Sequence, residues 1–85
     1  MMEVITFEGV RELWEKKRKG EELPENWKEL LLKYITHKEK ILKKWKKKFG
    51  VMSEIFEENY QLYMHACLIA KRLGVTWPMK KREEI

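Results

Sequence analysis

The chain has 85 residues and a mass of 10.5 kDa, and its 19 Lys plus Arg against 14 Asp plus Glu give a formal net charge of +5. A chain of this length has room for one domain, and it buries only about 60–65% of the surface that its unfolded form exposes, so a deep enzyme cleft is hard to build. Apolar residues make up 44% and charged residues 39% of the chain, with both signs interspersed, which argues against a disordered protein.

Neither secretion nor a membrane span is indicated. The lone cysteine, Cys67, has no partner for an intramolecular disulfide, and the first residues lack a charged region followed by a long apolar stretch. The longest nearly uncharged run, residues 59–70, has twelve residues, whereas a helix needs about 20 apolar residues to span a bilayer. We therefore expect a cytoplasmic protein with no membrane partner.

The first predicted helix runs from about Phe7 to Lys19. Thr6 is a favourable N-cap residue, and Gly20 follows a last turn of four cationic residues, which suits the negative end of the helix dipole. Apolar residues recur on one face of this helix, at Phe7, Val10, Leu13 and Trp14.

The second predicted helix has Pro24 in its first turn and ends before Gly50. From Trp27 to Phe49 the apolar residues fall within an arc of about 140°, which favours one long helix. The capping-box pattern at 36–39 instead predicts a new helix that starts just after two consecutive β-branched residues, Ile35 and Thr36, so a kink or break near Thr36 stays open.

The third predicted helix begins after the N-cap residue Ser53 and continues to Leu73. Gly74 suits a left-handed helix ending in which Val75 folds back toward Ala70. Because two adjacent apolar stripes run along this helix, it should pack on more than one side. The predicted fold is all-α, a small three- or four-helix bundle built on an antiparallel helical hairpin, with a single domain at 1–75 and a basic then acidic tail at 76–85.

The strongest functional signal is a basic segment in the second helix. Residues 38–48 contain seven lysines and one glutamate, a net charge of +6, so the rest of the chain sums to −1. Like charges spaced three or four residues apart destabilise a helix, and a face selected only for stability would also contain glutamates. Eleven helical residues extend about 16 Å, enough to contact several phosphates. The nucleic-acid-binding residues we predict are Lys40, Lys43, Lys44, Lys46, Lys47 and Lys48.

Two features refine this prediction. Lysines outnumber arginines by fifteen to four, and lysine lacks the planar fork that recognises guanine edges, so backbone binding is favoured over sequence-specific recognition. Trp45 and Phe49 lie among the lysines like the stacking aromatics of single-strand binders, but both align with Ile41 and Leu42 on the apolar arc. We expect these two rings to pack in the core.

The segment 68–76 resembles the first helix and turn of helix-turn-helix DNA-binding proteins. The resemblance rests on an alanine, Ala70, four residues before Gly74, on apolar residues at 69, 73 and 75, and on a capping Thr76. It implies that a recognition helix follows and that Lys80, Lys81 and Arg82 face DNA. The chain departs from the pattern there, because charged residues occupy positions 80 and 83 where that helix needs apolar ones. A helix that simply ends at glycine has the same local sequence.

Catalysis has little support, and we predict no enzyme, no metal site and no cofactor. His65 and Cys67 lie about 160° apart around a helix and cannot converge on one metal ion or form a nucleophile–base pair. No phosphate-binding glycine loop, zinc spacing or calcium loop occurs.

The alternative is a protein–protein interaction module that docks on an acidic partner surface. Ten aromatic residues and five methionines are a large apolar content for 85 residues, and a homodimer could bury the surplus. Aromatic residues and methionine are enriched at such contacts, so the predicted dimer residues are Tyr34, Tyr60, Tyr63 and Met64.

Overall fold

The computed structural model describes residues 5–85, and within that range it is all-helical with no strand. Three α-helices are present, α1 (Phe7–Lys19), α2 (Trp27–Phe49) and α3 (Glu54–Arg72), followed by a 3-10 turn at Arg82–Glu84. The all-α prediction is confirmed for these residues. None of the helices in this range is both long enough and apolar enough to cross a bilayer.

Side-chain caps begin α1 and α3 at the predicted residues. The Thr6 hydroxyl accepts a hydrogen bond from the Gly9 amide at 3.2 Å, and the Ser53 hydroxyl accepts one from the Phe56 amide at 3.3 Å. Each bond satisfies an amide that has no partner inside its helix. Local sequence alone therefore sets where these two helices start.

Glycines in the left-handed region end α1 and α3. Gly20 has φ 74° and Gly74 has φ 87°, a conformation that side chains with a Cβ rarely adopt. After α3, the Val75 amide donates to the Ala70 carbonyl at 2.8 Å, and Val75 itself is buried. A left-handed Gly74 followed by this hydrogen bond from Val75 back to Ala70 is the Schellman motif, as predicted.

α2 is one continuous helix of 23 residues, with no break at Thr36. Buried residues lie on both sides of that position, at Leu31, Tyr34, Ile35 and Leu42, so one packed face continues across it and outweighs the local capping signal. The predicted start is wrong by three residues. Pro24 lies in the turn before the helix, and its carbonyl accepts a hydrogen bond from the Trp27 amide at 3.0 Å.

α3 supplies half of the buried core and packs against both α2 and α1. Two apolar stripes predict packing on more than one side, and α3 has two neighbours. Phe56 and Tyr63 are fully buried and are among the largest core side chains. The buried residues of α3 are Phe56, Tyr60, Tyr63, Ala66, Cys67, Ile69 and Ala70.

The C-terminal segment 76–85 folds back along α2 and α3. The Trp77 indole N–H donates to Glu39 Oε2 at 3.2 Å, and the Tyr63 hydroxyl donates to the same oxygen at 2.7 Å. The backbone of Lys80 is held on both sides, since its amide donates to the Tyr63 hydroxyl at 3.0 Å and its carbonyl accepts from the Tyr60 hydroxyl at 3.1 Å. α3 ends at Arg72, three residues before the predicted domain boundary, and these hydrogen bonds join the segment after that boundary to the helices.

Candidate nucleic-acid interface

The second half of α2 presents a basic face to solvent. The lysines of this face project away from the side of the helix that buries Leu42. We call these exposed residues the lysine face; they are Lys40, Lys43, Lys44, Lys47 and Lys48.

None of these ammonium groups has a carboxylate within 4 Å among residues 5–85. The ion pairs in that range lie elsewhere, between Arg18 and Glu15, Lys33 and Glu29, and Arg82 and Glu57. The positive charge of the lysine face is therefore not neutralised by the described part of the chain, and an anionic ligand has access to it.

Two further lysines of α2 serve the fold. Lys46, which we predicted as a binding residue, donates to the Glu83 carbonyl at 3.3 Å and to the Ile85 oxygen at 2.7 Å, so its ammonium group holds the C-terminal segment. Lys38 donates to Asn59 Oδ1 at 3.0 Å, and its burial lowers the pKa of the amino group. Lys46 is therefore left out of the lysine face, because its ammonium group is bonded to the C-terminal segment.

Phe49 is exposed, contrary to the prediction that it packs in the core. Its side chain is 53% exposed, whereas Trp45, one turn earlier, is half-buried against the core. Phe49 is the last residue of α2, and the first buried residue of α3 is Phe56. The packed part of the two helices therefore ends before Phe49, and helical phase alone does not show where a neighbouring helix stops.

The exposed Phe49 ring stacks on Trp45 and is surrounded by lysines. The two ring centroids lie 5.4 Å apart at an interplanar angle of 25°. Lys48 Nζ lies 5.6 Å from the Phe49 centroid and 5.9 Å from the Trp45 centroid, and Lys44 Nζ lies 5.5 Å from the Trp45 centroid. The lysine face thus ends in a pair of aromatic rings among cations, a combination that sequence phase did not predict.

The three candidate residues of the tail differ in availability. Lys80 and Lys81 are exposed, but Arg82 makes a two-bond ion pair with Glu57, at 2.6 Å and 3.0 Å. The hydrogen bond from Arg82 also lowers the pKa of the Glu57 carboxyl. Arg82 therefore links the tail to α3.

The resemblance to helix-turn-helix proteins ends with the turn. After Gly74, residues 75–81 form no helix, and the only regular structure that follows within the described chain is the three-residue 3-10 turn at Arg82–Glu84. That turn is too short to serve as a recognition helix. The local sequence around Ala70 and Gly74 is explained by the helix ending.

The predicted dimer contacts are mostly core residues. Tyr34 and Tyr60 are each 3% exposed and Tyr63 is fully buried, which removes all three from the surface available to a second copy. Met64 is half-buried. It lines an open apolar groove of about 700 Å³ between α3 and the tail, together with Leu68, Trp77 and Met79.

His65 and Cys67, the two residues considered for catalysis, lie in different surroundings. His65 is exposed and stacks on the Phe7 ring at 6.1 Å, whereas Cys67 is buried in the core. Burial raises the pKa of the Cys67 thiol to about 11, which keeps it protonated at neutral pH and a poor nucleophile. Within residues 5–85 no group of three or more His, Cys, Asp or Glu side chains is placed to hold a metal ion.

Comparison with models of protein families, with curated proteins and with solved structures gives no match to this chain. Residue chemistry and geometry therefore carry the functional proposal.

Proposed function

We propose that this chain is a small, non-enzymatic nucleic-acid-binding protein that contacts the phosphate backbone through the lysine face of α2. The scaffold we infer is a three-helix bundle built on the α2–α3 hairpin, with the C-terminal segment laid along it. The observation that carries the proposal is the set of five exposed lysines with no carboxylate within 4 Å among the described residues.

The lysine face has a cost to stability that a binding function explains. Its residues form like-charge pairs at spacings of three or four, which destabilise a helix by roughly 0.2–0.5 kcal/mol each, so the set costs about 1–2.5 kcal/mol. Opposite charges at the same spacing would stabilise α2 instead, as Lys33 and Glu29 do one turn into the helix. The like-charge lysine pairs of the lysine face are 40–43, 40–44, 43–47, 44–47 and 44–48.

Phosphate contacts by lysine predict binding that depends on salt and little on sequence. If four phosphates are neutralised, the logarithm of the association constant falls against the logarithm of salt concentration with a slope of about −3.6 on B-DNA and about −2.8 on single strands. Lysine is a mobile point charge, which suits a backbone contact better than recognition of base edges.

The test is a salt-titrated binding assay with duplex DNA, single-stranded DNA and structured RNA. The variant changes Lys40, Lys43, Lys44 and Lys47 to Gln together, and it is expected to lose binding to all probes. Because the substitutions remove every like-charge pair described above, the variant should retain its helicity by circular dichroism and unfold at the same or a higher temperature than the wild type.

A matched control changes four exposed lysines on other surfaces, Lys17, Lys19, Lys28 and Lys71, to Gln. It has the same net charge as the test variant, so it measures the effect of total charge. Equal loss of binding in both variants would show that net charge matters and the lysine face does not. Absence of binding by the wild type at low salt would refute the proposal.

The alternative function is a protein–protein interaction module, and one form of it is a homodimer of this chain. The apolar groove favours it, because Leu68 and Met79 on its walls are 47% and 43% exposed. A second copy is the occupant we would test, since a two-fold dimer also doubles the lysine face. Sedimentation at micromolar concentration distinguishes the cases: a dimer that Leu68→Ser dissociates supports the homodimer, and a strict monomer removes it.

A further inference from the structure

Phe49 and Trp45 give the lysine face a feature that a backbone contact does not need. Phe49 is 53% exposed, yet its ring is held in a defined position by stacking on Trp45 at 5.4 Å. Trp45 in turn packs against the core. An exposed aromatic ring supported by a second ring is a preformed surface for another flat, aromatic group.

The cations around the rings indicate what that group carries. Lys48 Nζ lies within 6 Å of both ring centroids and Lys44 Nζ within 6 Å of the Trp45 centroid, and both lysines belong to the exposed lysine face. A nucleotide joins a flat base to a phosphate through one sugar, so a base on Phe49 places its phosphates beside these ammonium groups. Stacking of this kind requires a base free of its partner strand, because bases in a duplex are covered by their neighbours.

Resting on the proposed function, we infer that the end of α2 is a stacking site for an unpaired base and that the preferred ligand is single-stranded nucleic acid. Lys40, Lys43 and Lys47 then follow the strand backbone away from the stacked base. Neither stacking nor a lysine–phosphate contact distinguishes deoxyribose from ribose, so oligo(dT) and oligo(rU) should bind with similar affinity.

The test compares Phe49→Leu with Phe49→Tyr on three probes of equal length: oligo(dT), an abasic DNA strand and a duplex. Leucine keeps an apolar side chain but has no aromatic face, whereas tyrosine keeps that face. Loss of one stacked base corresponds to about a 5- to 150-fold loss of affinity. We expect that loss for Phe49→Leu on oligo(dT) only, with Phe49→Tyr close to the wild type on all three probes.

Met52→Ala is the matched control, because Met52 is 94% exposed in the turn after α2 and offers no aromatic face. It should leave oligo(dT) binding unchanged. Equal effects of Phe49→Leu on oligo(dT) and on the abasic strand would overturn the stacking site while leaving the lysine face intact. Wild-type binding to anionic vesicles in preference to oligo(dT), weakened by both Phe49→Leu and Met52→Ala, would overturn it in favour of a lipid surface.

The two proposals fail in distinguishable ways. If the stacking site is wrong but the lysine face is right, the lysine-to-glutamine variant still loses all binding and Phe49→Leu has no effect specific to bases. If the lysine face is wrong, the wild type binds none of the probes at low salt, or the lysine-to-glutamine variant and its matched control lose binding equally.

Discussion

Tyr63→Phe tests the hydrogen bonds that join the C-terminal segment to the helices. The substitution removes one oxygen atom from a fully buried side chain and leaves its ring in place. That hydroxyl donates to Glu39 Oε2 at 2.7 Å and accepts from the Lys80 amide at 3.0 Å. Burial raises the pKa of this hydroxyl above its usual range, which keeps it protonated as the donor that Glu39 requires.

The expected loss of stability follows from the two bonds. A hydrogen bond to a charged group contributes about 1.5–3 kcal/mol and one between neutral groups about 1 kcal/mol. Both bonds here are only partly buried, so we expect Tyr63→Phe to lower the free energy of unfolding by about 2–3 kcal/mol. For a domain of this size that corresponds to a fall in melting temperature of about 10–20 °C.

Tyr34→Phe is the matched control, since it removes the same atom from another core tyrosine. The Tyr34 hydroxyl is buried and has no hydrogen-bond partner among the described residues. An unsatisfied buried hydroxyl destabilises the folded state, so its removal should leave stability unchanged or raise it by about 1–2 kcal/mol. Urea unfolding followed by circular dichroism measures both variants. Equal losses in the two, or a loss below about 0.5 kcal/mol for Tyr63→Phe, would refute the assigned bonding.

Three further predictions concern other elements. Cys67, whose thiol pKa is raised to about 11 by burial, should react with a thiol reagent at neutral pH only after unfolding; rapid labelling of the folded protein would contradict this. The hydrogen bond from Arg82 lowers the folded-state pKa of Glu57, so the ion pair stabilises the fold above the ordinary carboxyl pKa and this contribution disappears as the pH falls through the lower folded-state value. Arg82→Gln should therefore lower the melting temperature at neutral pH, and this decrease should shrink as the pH falls below the ordinary carboxyl pKa; a decrease that does not change with pH would exclude the pair as the cause. Gly74→Ala forces a Cβ into a φ of 87° and should cost about 1 kcal/mol in urea unfolding, whereas a neutral result would show that the helix ending relaxes without glycine.

The ends of α1 and α3 could be predicted from sequence because they depend on local chemistry. A hydroxyl at Thr6 or Ser53 and a glycine at position 20 or 74 act within a few residues of the helix end, so no distant contact alters their effect. The start of α2 was less predictable, since Pro24 is compatible both with a first helical turn and with the preceding turn that it forms.

Long-range contacts account for the predictions that failed. Helical phase places Phe49 on the apolar arc, but its exposure depends on where α3 begins to pack. Lys46 and Arg82 look like free cations in the sequence, and each is bonded by a partner 25 or more residues away. The buried tyrosines at 60 and 63 are likewise explained by the tail that folds over them.

Composition and periodicity were sufficient to predict helices without strands, the ends of α1 and α3 and one helix with an unbalanced positive charge, because these properties arise from neighbours along the chain. Which lysines stay free, which aromatic ring reaches solvent and how the last ten residues are held depend on contacts between segments far apart in sequence. Only the packed structure brings those segments together, and it therefore decides the composition of the candidate site.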